Sequence, residues 1–442
     1  MNRKLSWILA ILSLMSLLLL ASCKDGSQTD ETGTGTDSGT TAETEAVTAI
    51  PRYDYMDAEV APDVQLDRAD YVGVTLTVPN SLKVTEDDVK AYVGNLLFKR
   101  RTAVNGTTMV KDQAVKTGDD VYIYYKGFVD GKEFEGGSNW DDKAPYQLGL
   151  GSGSFIPGFE DSLVGVIPNQ TSKDNPAKIN VTFPEEYTEE LAGKDAVFHV
   201  VIEYAVQYTL PEYNRAFVVD ALKYEPEEEF YASDAALLEE FETYVFNFLV
   251  SQNKTNVENA KVDALWNHLT EKATCSNHPQ AEIDFYFDSY KSEAEYYFEY
   301  YTSMGNEEFK TLYPDLEAFA PVYFGLEKGA DWKVELTKMA TLMVERDMIS
   351  HAIGEREGLE TVSEEEFKAQ VKHWVDYYLS AYYTPITEAE VIQNMGEIFL
   401  KESAFGEKLD KWLMEQFTFT YEDGTAIVTP AEDEAETESS GS

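Results

Sequence analysis

The feature that most constrains the fold is a β-rich stretch, residues 119–206, inside a chain whose other patterns are mostly helical. Runs of alternating, β-branched or aromatic residues predict strands at Val121–Tyr125, Lys178–Phe183 and Ala196–Tyr204. Asp130-Gly131 predicts a tight hairpin turn. A glycine-rich loop and then a short helix, Phe159–Gly165, lie between the first strand and the later ones. Strands around one short helix predict a small α+β domain.

Other elements are predicted on both sides of this stretch. Tyr71–Val78 has the composition of a strand. Thr85 is a predicted N-cap, and the acidic residues after it suit the first turn of a helix. From Pro211 to Phe417 helix formers dominate, and Ser363 and Thr387 each begin a capping box. We therefore expect an all-α domain after the β-rich one.

The composition limits the classes of partner. The chain has 442 residues, of which 43% are hydrophobic, so it can bury substantial cores. It contains 81 acidic and 35 basic residues, a formal net charge of −46. Such a chain repels nucleic acid, and we expect no nucleic-acid partner. The simplest explanation of the charge is a soluble, acidic surface.

No residue pattern indicates hydrolytic or metal chemistry. The motifs Gly-x-x-x-x-Gly-Lys-Ser/Thr, Gly-x-Ser-x-Gly and His-Glu-x-x-His are absent, and the five histidines are scattered. Apart from Cys23 there is one cysteine, Cys275, which we interpret as a small core residue rather than a reactive thiol. We therefore expect no metal and no cofactor.

The first residues match a processing signal. Basic Met1–Lys4 precedes apolar Leu5–Leu20, and Leu20-Ala21-Ser22-Cys23 has the form of a bacterial lipobox. The alternatives are an ordinary signal peptide or a spanning helix, which would need about 20 apolar residues. The pattern predicts removal of residues 1–22, lipidation of Cys23 and attachment to the outer face of the membrane.

The β-rich stretch carries a series of motifs in a fixed order. They are Tyr125-Lys126-Gly127, Asp130-Gly131-Lys132-Glu133-Phe134-Glu135-Gly136, Leu148-Gly149-Leu150-Gly151-Ser152-Gly153-Ser154-Phe155-Ile156-Pro157-Gly158-Phe159-Glu160, Leu163-Val164-Gly165, Val181-Thr182-Phe183-Pro184-Glu185-Glu186-Tyr187, Leu191-Ala192-Gly193-Lys194 and Val197-Phe198-His199-Val200. This series resembles the FKBP-type peptidyl-prolyl isomerase domain, specifically the version found in trigger factor. The resemblance implies an antiparallel sheet wrapped on a short helix.

The resemblance also implies the residues of an isomerase pocket. The positions that match catalytic pocket residues are Tyr125, Phe134, Tyr146, Phe155, Ile156, Phe159 and Phe198. Phe159 would be the floor under the proline ring, where many members of the family have Trp, and the N–H of Ile156 would hold a peptide carbonyl. Further substrate contacts are expected at Glu135, Tyr187 and Leu191.

These residue types suit the reaction. Amide resonance sets a barrier of roughly 18–20 kcal/mol to rotation about an X–Pro bond. The twisted transition state has lost that resonance and is less polar, so an apolar pocket favours it over the planar ground state. The alternative is that each aromatic residue is simply part of a domain core.

The resemblance to trigger factor extends into the helical regions. Val84–Ala103 resembles its linker helix, Asn259–Leu269 a helix that begins an arm, and Asp347–Leu359 a later helical segment. The ribosome-docking loop of trigger factor is not visible, so the ribosome is not an expected partner. The chain is predicted to divide into a signal peptide (1–22), a disordered tether (23–54), a β segment with the linker helix (55–115), an isomerase domain (116–207), a helical chaperone domain (208–427) and a disordered acidic tail (428–442).

Taken together, these patterns predict a lipid-anchored isomerase and folding chaperone for secreted polypeptides that contain X–Pro bonds. Two alternatives stay open at this point. One is a holdase chaperone whose FKBP-like domain is inactive. The other is a surface binding lipoprotein, for adhesion or solute capture.

Overall fold

A computed structural model describes residues 53, 55 and 60–429, except 105, 107, 185–186, 189, 226–232, 328 and 384. The predicted signal peptide, Cys23 and almost all of the tether and tail lie outside the described residues. Within the described residues, no helix is both long enough and apolar enough to cross a bilayer. The chain divides into two compact units, which we name the sheet unit, Pro79–Val257, and the helical unit, which joins residues up to Val78 to Glu258–Ala426.

In chain order, the strands of the described residues are β1 Val64–Gln65, β2 Thr75–Val78, β3 Thr102–Ala103, β4 Met109–Val110, β5 Asp120–Val129, β6 Lys132–Ser138, β7 Tyr146–Gly149, β8 Ala177–Thr182, β9 Asp195–Val206, β10 Tyr208–Thr209, β11 Thr274–Cys275 and β12 Thr418–Tyr421. The α-helices of the same residues are α1 Glu86–Phe98, α2 Phe159–Leu163, α3 Asp234–Lys272, α4 Gln280–Ser303, α5 Glu307–Leu312, α6 Leu316–Tyr323, α7 Trp332–Glu357, α8 Glu364–Tyr382, α9 Glu388–Met395 and α10 Glu397–Gln416.

The sheet unit is organised around the antiparallel pair β5 and β9. Both β6 and β7 pair with β5, at different parts of its length, and both β4 and β8 pair with β9. Asp130 and Gly131 connect β5 to β6 with φ values of 51° and 76°, as the predicted two-residue hairpin requires. The expected antiparallel sheet is therefore present.

One face of this sheet and the short helix α2 enclose a core. Val121 and Ile123 of β5, Val200 of β9, and Phe159 and Leu163 of α2 are fully buried in it. Burying each such side chain contributes roughly 1.5–3 kcal/mol. The α+β architecture predicted for this stretch is confirmed. The helix ends at Leu163 rather than at the predicted Gly165, since Gly165 turns the chain with φ +92°.

A second core in the sheet unit forms where α1 packs with the first part of α3, and it includes Val93, Phe217 and Phe241. The predicted N-cap of α1 is present, because Oγ1 of Thr85 accepts from the N–H of Asp88 over 3.3 Å, and the N–H of Thr85 donates in return to Oδ2 of Asp88 over 2.7 Å. The helix is shorter than the predicted Val84–Ala103. Its last residues, Thr102–Ala103, form β3 instead, which pairs with β10.

The helical unit buries one large core among α4, α7, α10 and the last part of α3. The segment before Val78, which we name the strap (residues 60–78), belongs to this unit. Its strand β1 pairs with β11, and β2 pairs in parallel with β12. The strand predicted at Tyr71–Val78 begins only at Thr75, because Gly73 turns the chain with φ +74°.

Charged side chains at the end of α7 hold the strap. The guanidinium of Arg356 donates to the carbonyls of Ala61, Val64 and Leu66 over 3.1, 2.6 and 2.8 Å. Arg68 donates twice to the carboxylate of Glu357, over 2.8 and 3.2 Å. The predicted segment 55–115 is consequently divided between the two units, since its first part pairs with the distant strands β11 and β12 and bonds α7, contacts that the sequence pattern does not identify.

The last helices, α8, α9 and α10, enclose a smaller core around Trp374 and Val391. Both predicted capping boxes are present at their N-termini, with Glu366 accepting from Ser363 and Glu390 from Thr387. These hydrogen bonds lower the pKa of each carboxyl below its usual value.

We predict that Gly354→Ala destabilises the helical unit. Alanine in a helix interior is normally more stable than glycine by about 0.5–1 kcal/mol. A Cβ at Gly354 of α7, however, would lie 2.6 Å from the ring of Phe405 in α10. We expect a loss of about 1–3 kcal/mol in urea unfolding.

The matched control is Gly406→Ala in α10, where a Cβ meets no atom within 4 Å. It should stabilise the protein by roughly 0.5–1 kcal/mol. Equal stabilisation by both substitutions would show that α7 and α10 do not approach closely at Gly354.

Candidate active site

Six of the predicted pocket residues form one group of touching rings, which we name the aromatic cluster: Tyr125, Phe134, Tyr146, Phe155, Phe159 and Phe198. They come from four strands, β5, β6, β7 and β9, and from α2 with the loop before it. The ring centroid of Phe159 lies 4.5 Å from that of Phe155 and 5.2 Å from that of Phe198. The fold thus gathers residues that are up to 73 positions apart in sequence (198 − 125).

The cluster is buried at its base and open at its edge. Phe159 has no exposed surface and Phe198 is 5% exposed, whereas Tyr146 is 44% exposed. Tyr125, Phe134 and Phe155 are intermediate. An apolar floor with an accessible aromatic rim is a suitable environment for a small apolar ring such as proline.

Two glycines make room for the Phe134 ring. A Cβ at Gly127 of β5 would lie 2.6 Å from the rings of both Phe134 and Phe198, and one at Gly137 would lie 2.5 Å from Phe134. Gly127 pairs directly with Phe198 across β5 and β9. Side chains at these two positions would push the ring of Phe134 out of the cluster.

Asn139 positions the strand that carries Tyr125. Its side-chain oxygen accepts from the N–H of Tyr125 over 2.6 Å, and its side-chain nitrogen donates to the carbonyl of Ile123 over 3.0 Å. Asn139 is 8% exposed, so these bonds are largely shielded from water. Sequence reasoning missed this residue, since no local pattern predicts an asparagine completing the hydrogen bonding of a strand.

Burial raises the pKa of the Tyr125 hydroxyl above its usual value, and the nearby Tyr146 and Asp142 raise it further. The hydroxyl therefore stays protonated at neutral pH. It can donate a hydrogen bond at the edge of the cluster without adding a charge to it.

The remaining predicted residues lie at different distances from the cluster. Ile156 and Leu191 are partly buried and pack against the same core. Tyr187 is exposed and touches Phe183, which in turn touches Phe134. Glu135 is exposed on β6. The roles given to these residues, and to the aromatic cluster, stay predictions.

A concavity lies on the other face of the sheet. It is a groove of about 420 Å³ lined by Phe128, Asp130, Gly131, Asp195, Val197 and His199. Burial, followed by the nearby cations Lys178 and Lys126, lowers the pKa of His199 below its usual value, so this imidazole is neutral at neutral pH. None of the residues predicted for the pocket lines this groove.

The titratable side chains form no metal-binding arrangement in the part of the chain that the structure describes, where no group of three or more His, Cys, Asp or Glu could hold an ion. Cys275 is partly rather than fully buried. Burial, followed by the charge of Glu345, raises the pKa of its thiol to about 11, as expected of an unreactive thiol.

Comparison with known families agrees with the geometry of the sheet unit. The profile of the FKBP-type peptidyl-prolyl cis-trans isomerase matches residues 111–203, which contain the whole aromatic cluster. This chain contains an FKBP-type domain. That domain is the β5–β9 sheet with α2, and the aromatic cluster lies inside it.

Trigger factors are among the relatives of known identity, and this chain is trigger factor-like. The one from Shouchella clausii is 32% identical over 320 residues, covering 72% of this chain and 64% of the relative. The one from Halothermothrix orenii is 29% identical over 308 residues, covering 70% and 62%. The chain therefore spans a little under two thirds of the length of these relatives.

A solved structure titled for promiscuous substrate recognition by the trigger factor chaperone is 15% identical and covers 80% of this chain and 72% of its own. Its TM-score of 0.31 is too low to establish a common overall fold.

Proposed function

We propose that this protein is a peptidyl-prolyl cis/trans isomerase and folding chaperone for secreted polypeptides, anchored by lipid outside the cytoplasmic membrane. The observation that carries the isomerase activity is the aromatic cluster, in which Phe159 is fully buried under a rim that includes the exposed Tyr146. The resemblance to FKBP-type isomerases over residues 111–203 supports the same activity.

The proposed chemistry needs no nucleophile and no proton transfer. The proline ring of a substrate lies on Phe159, and the walls exclude water from the prolyl amide. Because the twisted amide has lost its resonance and is less polar than the planar one, this apolar site lowers the barrier of roughly 18–20 kcal/mol. The N–H of Ile156, which donates to no acceptor among the described residues, is available to a substrate carbonyl.

We expect Phe159→Ala and Tyr125→Ala each to lower kcat/KM at least tenfold in a protease-coupled assay on a proline-containing peptide. A tenfold loss corresponds to about 1.4 kcal/mol of transition-state stabilisation. Tyr125 is only partly buried, so its substitution also tests the pocket with a smaller cost to folding.

The matched control is Phe241→Ala, which removes a ring that is 3% exposed from the other core of the sheet unit. This variant should lose stability but keep kcat/KM while it stays folded, as followed by circular dichroism. Unchanged isomerisation in both pocket variants would remove the assignment, and a wild-type chain without activity that still prevents aggregation would indicate a holdase.

Client holding is proposed for the far end of α4 together with α5 and α6. Exposed apolar side chains there, which we name the tip, are Tyr300, Tyr301, Met304, Leu312 and Val322, with exposed fractions between 40% and 62%. Beneath them the rings of Phe298, Phe309 and Phe319 touch one another. A rigid apolar surface of this kind can contact many different unfolded chains.

The acidic residues around the tip favour basic or neutral clients. Glu299, Glu307 and Glu308 are exposed beside it. In contrast, Phe285 and Tyr286, nearer the start of α4, are buried core residues. The exposed aromatic side chains of α4, those of Tyr300 and Tyr301, therefore lie in its last turn, where a client can reach them.

We predict that Met304→Ser with Leu312→Ser weakens the suppression of aggregation of a basic unfolded protein several-fold, measured by light scattering. Val334→Ser with Met339→Ser, a pair exposed on α7, is the control and should have little effect. Suppression of aggregation should weaken as salt screens the acidic surface. Equal capture of acidic and basic clients at low salt would contradict the proposed preference for basic or neutral clients.

Saturable binding of one small ligand, without any effect on aggregation, would instead favour a binding lipoprotein.

The membrane anchor is proposed from Leu20-Ala21-Ser22-Cys23. We expect metabolic labelling with a radioactive fatty acid to mark the wild-type chain and not Cys23→Ser, since the thiol of Cys23 is the proposed acceptor of the lipid. Cys275→Ser is the matched control and should label normally. Label that persists in Cys23→Ser, or a wild-type chain found only in the cytosol, would show that the protein is not a lipoprotein.

A further inference from the structure

A single carboxylate gathers the glycine-rich loop that leads into the aromatic cluster. One oxygen of Glu160, Oε2, accepts from the N–H groups of Gly151 and Gly153 over 2.7 and 3.2 Å. The other, Oε1, accepts from the N–H groups of Ser154 and Phe155 over 2.8 and 3.2 Å. Oε1 also accepts from the hydroxyl of Ser152 over 3.1 Å.

The other hydrogen bonds of the loop are made by Ser152, whose N–H donates to the carbonyl of Gly149 over 3.1 Å and whose hydroxyl bonds Ser154. Gly151 and Gly153 have φ values of +95° and +68°, a conformation that glycine adopts at little cost. Glycine also gives the unfolded chain more conformational freedom, so ordering this loop costs more entropy. Glu160 is 7% exposed, and hydrogen bonds from backbone N–H groups to a shielded carboxylate are stronger than those between neutral groups. The carboxylate therefore accepts from four of the five backbone N–H groups of residues 151–155.

The position of Glu160 links this order to the site. The residue directly follows Phe159, the floor of the aromatic cluster, and it bonds the N–H of Phe155, whose ring lies 4.5 Å from that of Phe159. The carboxylate occupies the N–H groups of Ser154 and Phe155. The next one along the chain, that of Ile156, has no acceptor among the described residues.

We propose that Glu160 is a positioning residue for the isomerisation: it holds the Phe155 wall in place and leaves the N–H of Ile156 as the donor offered to the substrate. This inference rests on the proposed isomerase function. Glu160 does not touch the substrate. It acts by ordering the loop before the substrate binds, so that the cost of ordering is not part of the barrier.

The test is Glu160→Gln in the full mature chain, with Asp161→Asn as the control. Gln keeps the size of the side chain but replaces one accepting oxygen with an NH₂ group that faces N–H donors. Asp161→Asn makes the same change of charge at the next residue, whose side chain is exposed. We expect Glu160→Gln to lower kcat/KM at least tenfold, mainly through kcat, and Asp161→Asn to change it less than twofold.

Hydrogen exchange followed by mass spectrometry gives a second readout. Peptides that cover residues 149–158 should exchange faster in Glu160→Gln, while peptides from β5 and β9 should be unchanged. Ser152→Ala removes the hydroxyl, and with it the bonds to Glu160 and to Ser154, but keeps the carboxylate, so it should fold normally and lower kcat/KM two- to threefold. It keeps the inference testable if Glu160→Gln does not fold.

Faster loop exchange in Glu160→Gln with full isomerase activity would overturn the positioning role. Wild-type activity in Ser152→Ala, should Glu160→Gln not fold, would overturn it as well. If the wild-type chain itself does not isomerise proline peptides, the proposed function fails and this inference fails with it. That case is distinguishable because the defect is then present before any substitution.

Discussion

The pairing of β5 with β9 is the constraint on which the candidate site depends. Its register places Gly127 opposite Phe198 and Tyr125 opposite Val200, so that rings from both strands reach the same face of the sheet. Because neighbouring residues of a strand alternate between faces, a shift of one position would move Phe198 to the face that now carries His199. The missing side chain of Gly127 is also part of this constraint, since the rings of Phe134 and Phe198 occupy its space.

One amide side chain and one carboxylate complete the backbone hydrogen bonding that the sheet leaves open beside the site. Asn139 completes the hydrogen bonding of β5 beside Tyr125, and Glu160 that of the loop beside Phe155. Both side chains are largely buried, and a buried polar group is costly unless it is hydrogen-bonded. Each therefore specifies one conformation of the backbone that carries a wall of the aromatic cluster.

In the helical unit, charged side chains join distant segments of the chain. Its strap is held to α7 by Arg356 and Glu357, through exposed or partly exposed groups. Deeper in the unit, the guanidinium of Arg346 lies 4.2 Å from the Trp266 ring centroid. Burial lowers the pKa of Arg346 and raises that of Asp410, while the attraction between the two opposes both shifts. Since the proposed tether precedes the strap, a lipid anchor at Cys23 would be attached through the helical unit.

The sequence by itself determined the elements and the chemistry that depend on local pattern. Alternation and turn residues predicted β5, β8, β9 and the Asp130-Gly131 hairpin, an N-cap predicted the start of α1, and capping boxes predicted the starts of α8 and α9. These signals lie within a few residues of one another, so they can be read without knowing the fold. The six rings that touch in the structure were implied by the resemblance to FKBP-type domains, which the order of the glycine and aromatic motifs carries.

Only the tertiary structure decided the contacts between distant parts of the chain. Thr102–Ala103 is a strand because β10 lies beside it, and the strap joins the helical unit because β2 meets β12 across more than 300 residues. The roles of Asn139 and Glu160 likewise depend on which backbone N–H groups come within reach. Hydrogen bonds and close ring contacts of this kind depend on distances set by the whole fold, and no local pattern in the sequence contains those distances.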